Sequence, residues 1–86
     1  MAARMSLAFR TVNVQEGSPN VCNLNASFPK RVKVGDVAFI GGNDYVVAQL
    51  LPSNDFVLHK PYKGATSKRG IQCVFYWAFK KNCVAL

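Results

Sequence analysis

Apolar and polar residues alternate along much of this chain with a period of two, not with the longer period of a helix. The alternating segments are rich in Val, Phe, Tyr, Ile and Leu, which suit the pleated surface of a sheet. Clusters of Gly, Pro, Ser, Asn and Asp separate them. The pattern therefore predicts an all-β domain, a small β-barrel or β-sandwich of about five to seven short antiparallel strands with N- and C-terminal extensions.

The clearest local prediction is a β-hairpin in the middle of the chain. Two apolar runs, VAFI and YVVAQLL, flank the sequence GGND at residues 41–44. Glycine and asparagine accept the positive φ angles that hairpin turns require, so the chain is expected to reverse there. In the second run, strict alternation through Tyr45 and Val47 would expose Leu50. We expect a bulge at Ala48 and Gln49 that returns Leu50 to the core.

Two strands are predicted before this hairpin. The run SLAFRTVNV alternates through Phe9 and then changes phase to Val12, which indicates two short pieces or a bulge near Arg10 and Thr11. After the turn sequence EGSPN, a short strand is expected around residues 21–24.

Further elements follow from the same pattern. The sequence RVKV at residues 31–34 predicts a half-buried edge strand that leads into a turn at residues 35–36. The sequence PSND at residues 52–55 predicts a tight turn, after which FVL at residues 56–58 forms a short strand.

The longest predicted strand is IQCVFYWAF at residues 71–79. Both of its faces are largely apolar, as expected for a central strand or for one that meets a partner. The residues on one face are Ile71, Cys73, Phe75, Trp77 and Phe79. The sequence before it, HKPYKGATSKRG at residues 59–70, has no strand or helix period and is expected to be a basic loop.

Length and charge limit the possible organisation and partners. With 86 residues, half of them apolar, the chain supports one compact domain. Its net charge of +7 favours contact with an anionic nucleic acid, membrane surface or protein face. No apolar run approaches the roughly 18 residues of a membrane helix, and the N-terminus lacks the apolar region of a signal peptide, so we expect the protein to stay where it is synthesised.

Cysteine spacing argues against a disulfide framework or a zinc site. Cys22, Cys73 and Cys83 are an odd number without a CxxC pair, which fits free thiols in a reducing compartment. With His59 they could in principle complete a tetrahedral site, but structural zinc ligands usually come in closely spaced pairs. We therefore expect no metal and no cofactor.

The chain offers few groups for catalysis. It contains one histidine and four carboxylates, and Asp36, Asp44 and Asp55 all lie in predicted turns, where aspartate bonds nearby backbone. A Cys and His pair would need a cationic environment that lowers the thiol pKa, and buried cysteine is otherwise inert. We expect a protein that binds and does not catalyse, with no catalytic residues.

Nucleic-acid binding is an alternative, because small β-barrels bind single strands with a cationic groove and exposed aromatic rings. Aromatic residues lie next to lysines in two places: Tyr62 between Lys60 and Lys63, and Tyr76 and Trp77 shortly before Lys80 and Lys81. The competing explanation is that aromatic residues spaced by two on a central strand belong to the core.

The order of motifs is more specific than any one of them. VGD is followed by GGNDYVV, then FVL, then KPYKGATS, then an aromatic strand. This order resembles a small β-domain that recurs in the head, neck and tail proteins of tailed bacteriophages. The resemblance covers roughly Val21 to Phe79 and implies a virion structural role. It implies core positions for Tyr45, Val47, Leu50, Phe56 and Leu58. The sequence SKRG stands where the pattern has a plainer turn, which suggests a charge-dependent contact.

On this basis the chain divides into an N-terminal strand or arm at residues 1–20, a β-domain at residues 21–79 and a tail at residues 80–86. The N-terminal segment is either an inner strand or an arm exchanged with a neighbour. The expected function is that of a capsid decoration or cement protein in the virion, assembled in the host cytoplasm. A head-to-tail connector or tail component is the nearest alternative, and a basic β-barrel that binds nucleic acid is the alternative of another class.

The expected partners are the major capsid protein or other virion proteins, contacted by many symmetric copies or a homo-oligomer. Nucleic acid is a secondary partner and a membrane is not expected. Apolar surface and backbone edges would add adhesion, and repetition on a lattice would multiply a weak contact. The residues expected to contact the partner are Lys60, Tyr62, Lys63, Lys68, Arg69, Lys80 and Lys81.

Overall fold

The computed structural model describes residues 6–25 and 31–77, with side chains described from residue 8 onward. These residues form six strands and no helix. The strands are β1 (Ser6–Val14), β2 (Asn20–Asn23), β3 (Val37–Ile40), β4 (Asn43–Leu50), β5 (Phe56–Leu58) and β6 (Ser67–Tyr76). They close into a barrel in the order β1-β2-β5-β4-β3-β6, and every neighbouring pair is antiparallel. The all-β prediction is confirmed, and of the two predicted architectures, barrel and sandwich, the structure is a barrel.

The central hairpin is confirmed. Ile40 pairs with Asn43, so the connection between β3 and β4 consists of Gly41 and Gly42 alone. Their φ angles are 58° and 87°, which only glycine adopts without strain in a two-residue turn. Asn43 and Asp44, both expected in the turn, are the first two residues of β4.

The bulge in β4 is also confirmed. Val47 pairs with Leu58 and Gln49 pairs with Val57, so Ala48 is the extra residue. Beyond it, Leu50 is half-buried and packs against the core. One extra residue therefore keeps both ends of β4 in contact with the barrel interior.

Strand β1 differs from the prediction. Its pairing with β6 is uninterrupted from Ala8 to Val12, and the register shifts lie at the two ends, between Ser6 and Ala8 and between Val12 and Val14. The expected bulge near Arg10 and Thr11 is wrong, and so is the alternative of two short pieces, because Ser6–Val14 is one strand. Val12 faces the interior and Phe9, on the other side of β1, is 57% exposed. The prediction failed because it assigned apolar Phe9 to the core.

Residues 31–36 form turns and no strand, so the predicted edge strand is wrong. Val32 is 3% exposed whereas Val34 is 57% exposed, because Val34 lies inside the turn in which the Asp36 amide donates to the Lys33 carbonyl oxygen (3.0 Å). The predicted turn at residues 35–36 is confirmed. The Lys33 amide donates to the buried Asp36 carboxylate (2.8 Å), and the Gly35 amide donates to the Val47 carbonyl oxygen (2.8 Å).

Strand β6 begins at Ser67, four residues before the predicted start, so part of the expected basic loop belongs to it. Phe75, next to the last residue of β6, is buried, with its ring 5.2 Å from that of Phe56 in an edge-to-face arrangement. Trp77, expected beside Phe75 on the core face, is 56% exposed because it follows the last paired residue of β6. Phe79 lies outside the described residues.

Barrel closure also changes the expected mode of contact. Each of the six described strands has a neighbour on both sides, so these strands offer no open sheet edge of the kind that strand addition uses. The expectation of adhesion through backbone edges is therefore not supported by the described strands. Within the segment 1–20, β1 is a strand of this barrel, paired with β2 and β6. The tail at residues 80–86 lies outside the described residues.

Candidate protein-docking site

Tyr62 holds the basic loop, residues 59–70, to the barrel. Its side chain is 3% exposed and its ring centroid lies 5.7 Å from that of Tyr45. The hydroxyl lies against Gly41 of the hairpin turn and against Gly64 of the loop, so closely that a Cβ at either glycine would overlap it. Burial raises the pKa of the Tyr62 hydroxyl, and Tyr45 raises it further. Tyr62 is therefore an anchor and not the exposed contact residue that the sequence suggested.

Backbone hydrogen bonds fix the same part of the loop. The Tyr62 amide donates to the Ser18 carbonyl oxygen (2.9 Å), and the Gly17 amide donates to the Tyr62 carbonyl oxygen (2.8 Å). The Lys63 amide donates to the Tyr45 hydroxyl oxygen (2.9 Å). The chain beneath the lysines is therefore held from two sides, by the turn after β1 and by β4.

His59 connects the start of the loop to β4 through two hydrogen bonds with Val46. The His59 amide donates to the Val46 carbonyl oxygen (2.9 Å), and the Val46 amide donates to His59 Nδ1 (3.0 Å). This contact could not be predicted from the sequence, since it requires knowing that β4 runs beside residue 59.

The structure places the expected cations in two groups. Lys60 and Lys63 are exposed and line one shallow cleft of about 280 Å³ together with Asp44 and His59. Lys68 and Arg69 are exposed at the start of β6, where a register shift sets residues 68–70 opposite a single residue of β1. Lys80 and Lys81 lie outside the described residues.

Lys68 belongs to a second cleft of about 640 Å³ that sequence reasoning missed. The end of β1, β2 and the residues next to β5 form its walls, and Asp55 and Cys22 lie in it with Lys68. Asp55 accepts a hydrogen bond from the Asn23 amide (2.9 Å). Its carboxylate therefore holds β2 in place, in addition to its predicted role in the turn at residues 52–55. In the same cleft, buried Asn13 Oδ1 accepts no hydrogen bond from the described residues.

The thiols differ in environment. Cys73 is buried, and burial raises its pKa to about 12, so it is protonated at neutral pH. Cys22 is exposed, and Cys83 lies outside the described residues. Residues 6–25 and 31–77 contain no group of three or more His, Cys, Asp and Glu that could hold a metal ion.

In the part of the chain that the structure describes, no helical segment has the length and hydropathy needed to cross a bilayer. No protein-family model, curated protein or solved structure matches this chain.

Proposed function

We propose that this chain is a non-enzymatic structural protein of a tailed-phage virion, bound to the capsid in many copies as a decoration protein. A head-to-tail connector or tail component is the nearest alternative, because both would use the same kind of contact. The proposal starts from the motif order of the sequence. The positions that this order assigns to the core include Tyr45, Val47, Phe56 and Leu58, and all four are at most 2% exposed in the barrel.

The observation that carries the proposal is the rigid presentation of Lys60 and Lys63. Both side chains are exposed, while the backbone around them is held by Tyr45, Tyr62 and His59. A loop that is already ordered loses less conformational freedom when it docks, so more of its contact energy appears as affinity. This arrangement suits a fixed contact with an acidic protein surface.

A single contact of this kind is weak. Exposed ion pairs contribute about 0.2 to 1 kcal/mol each, and salt screens them. On a symmetric particle the same contact is repeated, and copies that also touch each other gain from effective concentration. Many weak contacts can therefore give stable occupancy without a large interface for each copy.

The test compares charge reversals with the same change in net charge. Lys60→Glu with Lys63→Glu alters the fixed lysines, whereas Arg31→Glu with Lys33→Glu alters two exposed cations outside the basic loop. A third pair, Lys68→Glu with Arg69→Glu, tests the second group of cations. Each variant is mixed with purified phage particles that lack the protein, and bound protein is measured after sedimentation at low and moderate salt.

We expect the Lys60 and Lys63 variant to bind about tenfold more weakly or worse, and the Arg31 and Lys33 variant to keep its occupancy. Equal retention of all three variants would contradict docking through the basic loop. Failure of the unaltered protein to sediment with particles, and its absence from intact virions by mass spectrometry, would contradict the virion role itself.

The nucleic-acid alternative is measured by oligonucleotide gel shifts at two salt concentrations. It predicts an affinity that falls steeply with salt as counterions are released from several phosphates. The burial of Tyr62 removes the stacking ring expected between Lys60 and Lys63, which weakens this alternative at the basic loop. Tight binding with a steep salt dependence, together with no binding to particles, would favour it over the virion role.

A further inference from the structure

Four adjoining strands, β1, β6, β3 and β4, present apolar side chains on the outside of the barrel. Burial alternates along these strands, so the residues between the core positions point outward. We call these outward residues the outer aromatic face. It consists of Phe9, Val37, Phe39, Val46, Val74 and Tyr76.

The pairing register aligns these side chains in two rows across the strands. In one row Phe9 and Phe39 both pair with Val74, one from each side of β6. In the next row Val37 pairs with Tyr76 and with Val46. Neighbouring strands lie about 4.8 Å apart, so each row is a continuous strip of side chains.

The face is rigid at its centre and open at its sides. The rings of Phe39 and Tyr76 pack edge to face, with centroids 6.5 Å apart and planes at 73°. Phe9 is 57% exposed and Val46 is 36% exposed, and the other four members are half-buried. Single exposed apolar residues are ordinary on protein surfaces, but a contiguous strip of this kind is typical of an interaction surface.

Charge indicates what would cover this face. The chain has a net charge of +7, yet none of the six members of the face is charged. The next outward positions, Thr11 on β1 and Gln72 on β6, are uncharged too, and they pair with each other. Arg10 lies on the opposite side of β1 by alternation. The centre of the face therefore brings no like charges together when two copies meet, and the cations Lys60 and Lys63 lie at its margin, in the cleft that Val37 and Val46 line.

The margin of the face carries both signs of charge. Asp44 pairs with Phe39 across β3 and β4, and it lines the cleft that also contains Lys60. A two-fold pairing brings the same margin of each copy together, so the acidic residue of one copy can approach the cation of the other. An apolar centre with a charged rim is the usual arrangement of protein interfaces.

We propose that the outer aromatic face is a self-association interface that joins two copies of this chain around a two-fold axis. The proposal does not depend on the virion role. The outer aromatic face adjoins the fixed lysines, because Val37 and Val46 line the same cleft as Lys60 and Lys63. If both hold, the dimer presents two basic loops, and the avidity of docking increases through paired contacts.

The test uses Phe9→Glu and Val34→Glu, which place the same charge at a phenylalanine and a valine that are each 57% exposed. Val34 lies in the turn before β3 and is not part of the outer aromatic face. Sedimentation velocity is measured over a wide concentration range, with circular dichroism as the check on folding. We expect the unaltered chain and the Val34 variant to approach twice the 9.5 kDa chain mass, and Phe9→Glu to raise the dimer Kd about 30-fold.

Nuclear magnetic resonance of mixed labelled and unlabelled protein supplies the second measurement. Intermolecular contacts between the rings of Phe9, Phe39 or Tyr76 and Val46 would support the proposal. If Phe9→Glu does not fold, the dimer Kd of Phe9→Ser and these intermolecular contacts provide the test instead. A monomeric chain at every concentration would overturn it, as would equal weakening by Phe9→Glu and Val34→Glu. Contacts between this face and residues 78–86 of the same monomeric chain would also overturn it.

Discussion

The β3–β4 hairpin and the β1–β6 pair are assembled in different ways. The hairpin joins residues close in sequence through a two-residue turn, and its register runs without interruption from Val37 to Ile40. The β1–β6 pair joins residues far apart in sequence, and its register shifts at both ends. A tight turn fixes which residues pair, whereas a non-local pair is aligned by the packing of its side chains and can take up extra residues as bulges. The β3–β4 pairing is therefore regular, whereas the β1–β6 pairing contains extra residues where its side chains pack against neighbouring elements.

Phe75 is one of the residues of β6 at which the two regions meet. It pairs with Ala8 of β1 on one side and with Ala38 of β3 on the other, and it is fully buried. The small side chains of both alanines leave room for its ring, which packs against Phe56. Variants in and around this position show how far the two regions depend on each other.

The largest effect is expected for Phe75→Ala, which removes the ring from the junction. Loss of a buried phenylalanine lowers the free energy of unfolding by about 3 to 5 kcal/mol, because apolar contacts are lost and a cavity remains. The matched control is Val74→Ala, on the outer side of the same strand, with an expected loss of about 0.5 to 1 kcal/mol. Urea denaturation followed by fluorescence measures both. Equal losses would mean that the assignment of the two faces of β6 is wrong.

A smaller effect is expected for Gly41→Ala, which acts on the hairpin alone. Alanine would adopt a positive φ with strain of about 1 to 2 kcal/mol, and its Cβ would also overlap the Tyr62 hydroxyl. Gly42→Ala is the control, because it has a positive φ but no atom within 4 Å of a Cβ. We expect Gly41→Ala to lower the free energy of unfolding by about 1 to 2 kcal/mol more than Gly42→Ala.

Thermal denaturation of these two variants and of the same pair in a Tyr62→Phe background separates strain from overlap. Removal of the hydroxyl should bring the two glycine substitutions closer to the same free energy of unfolding. An unchanged difference would show that overlap with the Tyr62 hydroxyl does not contribute to the cost of Gly41→Ala.

The smallest effect is expected for Gly70→Ala, which acts on the β1–β6 pair. Gly70 has a φ of 89°, and a Cβ there would meet Thr11 Cγ2 and Leu24 Cδ1. Both atoms are the ends of side chains on the barrel surface and can move, so the cost is mainly backbone strain of about 1 to 2 kcal/mol. Thr11→Ser removes one of the two contacts. If Gly70→Ala lowers the free energy of unfolding as much as Gly41→Ala does, then Thr11 and Leu24 cannot move aside and the β1–β6 pair is less adaptable than proposed.

The elements that could be predicted from sequence are those whose causes lie within a few residues. The two glycines of the hairpin, the bulge before Leu50 and the turns at Asp36 and Asp55 all follow from local turn chemistry and alternation. Closure of the barrel did not follow, because it depends on β1 meeting β6. The outward direction of Phe9 and the early start of β6 depend on the same non-local register.

The candidate site was predicted in part. The exposed cations of the basic loop were identified from composition, but their separation into two groups depends on the start of β6 at Ser67. Tyr62 was misassigned, since nothing near it in sequence shows that Gly41, on another element, leaves space for its hydroxyl. A buried tyrosine flanked by exposed lysines has the same local pattern as a stacking residue, and only the fold separates the two.

The barrel order places β1, the first strand, beside β6, the last of the described strands. During synthesis β1 leaves the ribosome long before β6 and cannot pair with it until nearly the whole domain has been made. Contacts between distant parts of a chain slow folding, because loop closure must precede them. We therefore expect the nascent chain to keep its apolar strands open until late in translation, so that its yield depends on chaperones and on growth temperature.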